Sequence, residues 1–319
     1  MINGRCKTIN LAISCDDRYF KPFCVLITSI LLNNKQSYFH FHVIITGIEE
    51  QIKEKIKNFV LTNNSKITFY TIDLFQPETL NLPDHPWFTS AIYYRIFFPL
   101  IVPANVDTLI YLDTDIVVVN KLDEMLEVPI TDVPLAAVVD SNVSIREDLR
   151  IFEPGNYFNS GVLLINLNVW NKLQISQKAI DFIKLNPDKI PYGDQCALNA
   201  VLVNNWKKID NKFNVMFQDV PRFVSKSEVV KSITDKVIIH FTTKHKPWTV
   251  SCVNPYRFLY SYYFYRCPLL FKASLYSDLN YSFYSLSSYL KLRLIELYYE
   301  FPVIKKFWKM IKHKSSRIV

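Results

Sequence analysis

Between Thr8 and Leu74 two hydrophobic periods alternate, and the alternation leaves few architectures open. "TINLAIS" (Thr8 to Ser14) reads as a buried strand, and "FCVLITSILLNN" has the spacing of a buried helix opened by Pro22. "FHFHVIITG" (Phe39 to Gly47) returns to a strand, "EEQIKEKIKNFV" (Glu49 to Val60) is an amphipathic helix, and "KITFYTIDL" (Lys66 to Leu74) is a third strand. Strands separated by helices run parallel in one sheet, so the pattern predicts an α/β fold with a mostly parallel central sheet flanked by helices, of nucleotide-binding type.

A Pro-rich loop (Pro77 to Pro86) precedes "SAIYYRIFFPLIV", which reads as an apolar helix with one charge, Arg95. Further strands are expected at Asp107 to Leu112, Pro134 to Asp140, Gly161 to Leu167 and Lys236 to His240, and helices at Ile175 to Lys184 and Asp194 to Asn204. In open α/β sheets the ligand crevice lies at the carboxyl ends of the strands. Asp16, Asp113, Asp140 and His240 stand at such ends and form one set of site residues.

The acids are the strangest part of the pattern. In "IYLDTDIVVVN" Asp113 and Asp115 interrupt an apolar run with only Thr114 between them. Buried carboxylates need compensation. Strand alternation puts both on one side, about 6 to 7 Å apart along an ideal strand and closer if the chain bends. That suits a shared divalent cation that also binds phosphate oxygens. It suits equally a strand cap beside a turn.

Composition narrows the class. The chain has 319 residues, half of them hydrophobic, with only 5 Gly and no repeat or low-complexity tract, which argues for a globular body and against solenoids and disorder. Six cysteines without a CxxC pair, and no apolar leader behind basic residues, point to a reducing, cytoplasmic setting. No run of 18 apolar residues is present, so no spanning helix is expected. The net charge of +8 is concentrated at the end: residues 291–319 hold eight Lys or Arg against Glu296 and Glu300. That distribution, with no recognised module, argues against nucleic acid as a partner.

Six ordered motifs, "SCDDRYF", "YYRI", "YLDTDIVV", "YFNSGVLLINL", "YGDQCALN" and "HFTTKHKPW", together resemble the retaining glycosyltransferases of family 8, most closely the bacterial lipooligosaccharide galactosyl- and glucosyltransferases. The resemblance runs from about Ile9 to Trp248 and implies a GT-A type fold. By the same likeness Asp113, Asp115 and His240 are ligands of Mn²⁺ or Mg²⁺. Ser14, Asp16 and Tyr19 hold the uridine of a UDP-sugar, Thr114 lies among the donor contacts, and Arg95 reaches the donor. Asn159 and Ser160 contact the donor sugar, with Asp194 and Gln195 beside its reactive carbon. Thr243 and Lys246 face the diphosphate, and Asp140 and Tyr192 lie on the acceptor side. Three positions depart from the pattern. Arg18 stands where Asn is common, Thr243 where a glycine often contacts the diphosphate, and Cys196 where some relatives have an acid.

The implied activity is transfer of a hexose from UDP-hexose to a glycan or glycolipid acceptor, in residues 1–250. Residues 251–319 are expected to form an aromatic, basic helical segment. Its last part, "FPVIKKFWKMIKHKSSRIV", interleaves Phe301, Ile304, Phe307, Trp308 and Ile311 with lysines, the make-up of an interfacial helix on an anionic membrane. The expected location is therefore the cytoplasmic face of a bacterial inner membrane. Two other readings stay open. "YLDTDIVV" also fits a haloacid-dehalogenase-like phosphatase with Asp113 as nucleophile, although the later G-D-x-x-x-D is incomplete in "GDQCALN". A non-catalytic carbohydrate- or membrane-binding protein would carry the same site without turnover.

Overall fold

The computed structural model describes residues 8–71, 82, 90–221, 225–278, 283–301 and 304. Its main sheet has seven strands: β1 (Thr8–Cys15), β2 (Tyr38–Ile45), β3 (Lys66–Tyr70), β4 (Thr108–Leu112), β6 (Leu135–Val139), β7 (Phe158–Asn166) and β8 (Lys207–Lys208). Their order is β3-β2-β1-β4-β7-β6-β8. β7 runs antiparallel to both neighbours, and every other adjacent pair is parallel. β5 (Ile116–Val118) leaves this sheet and pairs antiparallel with β9 (Ile238–His240).

Both faces of the sheet are covered, as the apolar strands require. On one face Leu11, Ile13, Phe41 and Val43 pack with α1 (Phe20–Asn33), α2 (Glu50–Thr62) and the β5–β9 pair. On the other, Tyr111, Leu163 and Ile165 meet α3 (Phe98–Ile101), α4 (Leu167–Lys172), α5 (Ile175–Leu185) and α6 (Asp194–Val201). A short α7 (Lys226–Lys231) precedes β9.

Four expectations change in detail. The helix expected over Ser90 to Val102 is a 3₁₀ stretch, Ser90–Ile96, followed by α3. Pro99 has no N–H to give the Arg95 carbonyl, so one α-helix cannot run through both residues. α1 begins at Phe20, and Pro22 sits in its first turn, where a missing N–H costs nothing. β7 starts three residues before Gly161 and so includes Asn159 and Ser160. Asp113 and Asp115 do not lie within a strand, because the chain bends between β4 and β5 and passes from one sheet to the other there.

The change of composition near residue 251 does not end the core. α8 (Arg257–Phe264) buries Leu259, Tyr260, Tyr263 and Phe264 in the cluster that contains α1, and Asn33 Nδ2 donates to the Tyr263 hydroxyl at 2.7 Å. α9 (Phe283–Glu300) is different: Leu286, Leu290, Leu294 and Leu297 are each 45% or more exposed. Among the described residues no helix is long and apolar enough to cross a membrane. The basic stretch expected to lie on a membrane falls outside the described residues, apart from Phe301 and Ile304.

Candidate active site

Strand pairing brings the acid pair and the histidine together. Ile116, the residue after Asp115, is opposite His240 in the β5–β9 register, and the Phe241 N–H donates to the Asp115 carbonyl at 2.9 Å. The His240 imidazole therefore reaches back over the bend, with Nε2 3.1 Å from Asp115 Oδ1 and 3.8 Å from Asp113 Oδ2. The other oxygen of each acid is already engaged. Asp113 Oδ1 accepts from the Tyr111 hydroxyl at 3.0 Å and pairs with Arg95 Nη2 at 3.0 Å. Asp115 Oδ2 accepts from Lys246 Nζ at 2.5 Å, and that ammonium also donates to the Phe241 carbonyl at 2.8 Å.

These charges act on one another at close range. Burial alone pushes the Asp115 carboxyl up, but Lys246 and His240 outweigh it and hold the group well below the usual carboxylate range. Burial likewise works against the Lys246 ammonium, and the Asp115 charge overcomes it, so its pKa is raised.

Gly161 explains how the groups come so close. A Cβ on this residue would stand 2.3 Å from His240 Cε1 and 2.6 Å from Asp113 Oδ2, so only glycine leaves room for the imidazole and the carboxylate. The Asp113 N–H donates to the Gly161 carbonyl at 2.8 Å, which fixes the bend against β7.

Arg95 is the hub on the other side. Its Nε pairs with Asp194 Oδ2 at 2.8 Å, its Nη1 donates to the Ser160 carbonyl at 2.7 Å and hydroxyl at 2.9 Å, and its Nη2 holds Asp113. The guanidinium lies over the Tyr111 ring, 4.8 Å from its centroid. Burial opposes this charge, and Asp113 and Asp194 more than offset it, raising the Arg95 pKa. One cation shared between two acids leaves the deeper one under-compensated. Burial lifts the Asp194 carboxyl to about 7 against the pull of Arg95, and Asp113 adds to the rise. Gly193, at φ +54°, delivers the chain into α6 so that Asp194 and Gln195 open the helix.

Because β7 is antiparallel, its first residues lie at the same sheet edge as the ends of β1, β4 and β6. Asn159 and Ser160 thus join Asp16, Asp113 and Asp140 there. Gln195 Oε1 accepts from Asn159 Nδ2 and from the Ser160 N–H, both at 3.1 Å, while Gln195 Nε2 donates to Asp140 Oδ2 at 3.3 Å.

The remaining expected residues divide. The Ser14 hydroxyl meets the Tyr111 hydroxyl at 3.0 Å, and Thr114 is buried between the acids. Asp16 caps the turn after β1 by accepting from the Tyr19 N–H at 3.2 Å, and the largely exposed Arg18 pairs with it at 3.3 Å. Tyr19 packs edge-on against Trp248, and both Lys246 and Asp115 act on its hydroxyl. Thr243 and Tyr192 stand apart from the bonded cluster. The Thr243 hydroxyl turns to the His245 carbonyl, and Tyr192 is 49% exposed on the turn before α6. The Cys196 thiol points away, to the Tyr157 hydroxyl at 3.3 Å and Arg146 at 3.5 Å.

Sequence reading missed Tyr111 and Asn214. Tyr111 sits within the quoted acid motif and looks like an ordinary strand aromatic. Asn214 is wholly buried, with Oδ1 2.9 Å from His240 Nδ1, and only its polarity inside "KFNVMF" marked it.

The donor set fits a divalent cation. One ligand atom from each of Asp113, Asp115 and His240 lies within 4.8 Å of the others, and two carboxylates with an imidazole make a fitting donor set for such an ion. Residues 10–252 match the family model described as glycosyl transferase family 8. A lipopolysaccharide 1,2-glucosyltransferase of Escherichia coli is 31% identical over 256 residues, 76% of this chain and 74% of its own length. General stress protein A of Bacillus subtilis is 29% identical over 79% of this chain and 91% of its own. A galactosyltransferase, LgtC, crystallised with donor and acceptor sugar analogs, superposes with a TM-score of 0.70 at 22% identity, covering 82% of this chain and 96% of that one. The phosphatase reading finds no support in these matches. With three quarters of its length matched and its charged residues gathered at the carboxyl edge of a GT-A type sheet, the chain belongs to glycosyl transferase family 8.

Proposed function

We propose that this glycosyltransferase moves glucose or galactose from a UDP-sugar to the core glycan of a lipopolysaccharide or lipooligosaccharide, with retention at the anomeric carbon. One observation carries the reading. In a chain of this family, the Asp113–Asp115–His240 cluster and the Arg95–Asp194–Gln195 cluster are joined by the Arg95–Asp113 ion pair at one sheet edge. The relatives named for glucosyl and galactosyl transfer supply the sugar class.

A cation held by Asp113, Asp115 and His240 would supply positive charge to a departing diphosphate. Lys246 adds a second charge to the same group, and Thr243 joins it there by the family likeness alone. Ser14, Asp16, Tyr19 and Thr114 hold the nucleotide, Asn159 and Ser160 the sugar, and Asp140 and Tyr192 the acceptor. Arg95, paired with Asp113 and Asp194, reaches the donor from between them. The bond between the anomeric carbon and the UDP oxygen breaks, the acceptor oxygen bonds to that carbon on the same face, and its proton passes to the departing phosphate. The Gln195 amide supports this front-face course. Its oxygen already accepts two N–H groups and has little electron density to offer as a nucleophile.

Incubation with Mn²⁺ and UDP-glucose or UDP-galactose, followed by chromatography, tests the reading. UDP release that rises with a lipooligosaccharide-core acceptor is expected. Phosphate release would restore the phosphatase reading, and no turnover with either donor would leave a binding protein.

We infer also that residues 251–319 attach the catalytic body to an anionic membrane at the cytoplasmic face. α8 anchors the segment in the core, and four leucines of α9, Leu286, Leu290, Leu294 and Leu297, are exposed ahead of the basic end in sequence, while Leu292 is buried. Deleting Phe301 to Val319 is expected to release the protein from anionic vesicles and to spare transfer to a soluble acceptor. Unchanged vesicle binding would sink the idea.

A further inference from the structure

We propose that Asn214 is a positioning residue. It holds His240 as the tautomer with hydrogen on Nδ1 and so keeps the Nε2 lone pair turned to the cation. The inference rests on the cation-site reading above and concerns a residue that reading does not use.

The argument comes from following hydrogen-bond direction along one buried chain of side chains. A backbone N–H can only donate, and two of them set the direction. The Ser160 N–H donates at 3.1 Å to the Gln195 side chain, so the atom there is the amide oxygen. The Gly161 N–H donates at 3.0 Å to the Asn159 side chain, so that atom is also an oxygen. With both amides oriented, Asn159 Nδ2 donates to Gln195 Oε1 and Gln195 Nε2 donates to Asp140 Oδ2. The Asn159 oxygen faces Asn214 at 2.9 Å, so Asn214 must present Nδ2 to it. The Asn214 oxygen is then left toward His240 Nδ1, also at 2.9 Å.

An oxygen there requires a proton on Nδ1. Flipping Asn214 would set oxygen against the Asn159 oxygen and N–H against the ring. Asn214 has no exposed surface, so no solvent can relieve that arrangement. With its hydrogen on Nδ1, the ring leaves Nε2 as the nitrogen a cation can take, and Nε2 points at Asp115 Oδ1 and Asp113 Oδ2, 3.1 and 3.8 Å away. Three lone-pair atoms converging on one point is the electronic form of a cation site. The opposite tautomer would put N–H against Asp115 and oppose the cation. The same chain of amides links His240 to Gln195 and Asp140, so the ligand's orientation and the sugar-side amide are set by one network.

Two variants separate this role from simple packing. Asn214→Leu keeps the volume and removes both hydrogen bonds. Asn214→Asp keeps an acceptor for Nδ1–H and loses the donor to Asn159. Mn²⁺ affinity by calorimetry is expected to fall about 10- to 100-fold in Asn214→Leu and several-fold less in Asn214→Asp, which keeps the Nδ1 acceptor although its second oxygen meets that of Asn159. Nitrogen-15 NMR of histidine-labelled, Mg²⁺-loaded protein is expected to show Nδ1 protonated and Nε2 unprotonated in the parent and in Asn214→Asp. Parent-like Mn²⁺ affinity in Asn214→Leu would overturn the proposal, as would equal loss in both variants or an Nε2–H signal in the parent. A parent protein that binds no Mn²⁺ at all would instead take down the cation site, and this inference with it.

Discussion

His42 and His240 are both buried in strands, and they do opposite jobs because of what faces the second ring nitrogen. His42 has its Nδ1 2.7 Å from the Tyr70 hydroxyl and its Nε2 3.2 Å from Asn10 Oδ1, and its ring lies 4.0 Å from that of His40. Both nitrogens are satisfied by neutral groups. Burial, then His40 and Lys66, lower its pKa to about 3, so it is a neutral structural residue. His240 satisfies one nitrogen with Asn214 and turns the other to two carboxylates. The comparison teaches that burial and strand position do not identify a ligand. The groups that face the ring do.

The largest test of this contrast is a pair of substitutions. His240→Ala is expected to abolish measurable Mn²⁺ binding and to lower the transfer rate by on the order of a thousandfold, the several kcal/mol that a bound cation gives a developing anion. His42→Leu is expected to leave Mn²⁺ affinity and rate within a few fold, while costing about 1 to 3 kcal/mol of stability by stranding the Asn10 and Tyr70 partners. Calorimetry, turnover and urea unfolding measure the three quantities. Equal loss of rate in the two variants would erase the distinction.

A smaller test sharpens the contrast through pH. Burial first, then neighbouring positive charge, lowers the folded-state pKa of His40 to about 4 and of His42 to about 3. The unfolded chain binds their protons more readily, so their stabilisation is complete above about pH 6.5 and is lost as pH falls below it. Asp194 has the opposite sign. Its folded pKa is raised to about 7, so the folded state holds the proton more tightly, and that stabilisation is complete below about pH 4 and lost as pH rises through 7. Melting temperature against pH should therefore lose part of its acid-side fall in His42→Leu and part of its decline toward pH 7 in Asp194→Asn, by a few °C each. Parallel curves for parent and variants would contradict both assignments.

Much of the fold was legible because it is local. Periods of two and 3.6 marked β1, α1, β2, α2 and β3, and these three strands pair in parallel as expected. The misses have physical causes of longer range. Pro99 divides a helix whose apolar pattern is continuous, and the start of β7 depends on its antiparallel partners and not on its own composition. At the site, the acids, the histidine and the residues around them were recognisable by type and motif order. Tyr111 and Asn214 were not, since each looks like a packing residue until a partner from another strand faces it.

The sequence by itself determined the α/β class, the family, and which side chains could carry charge at the strand ends, because residue type and period are properties of the chain. Tertiary structure alone decided that Asp113 and Asp115 meet across a bend, that His240 arrives through the β5–β9 register, and that each acid offers one oxygen outward while Arg95, Tyr111 and Lys246 hold the other. Those facts depend on which strands pair and on the direction of each hydrogen bond. Direction is fixed only when every donor and acceptor in the buried network has found its partner.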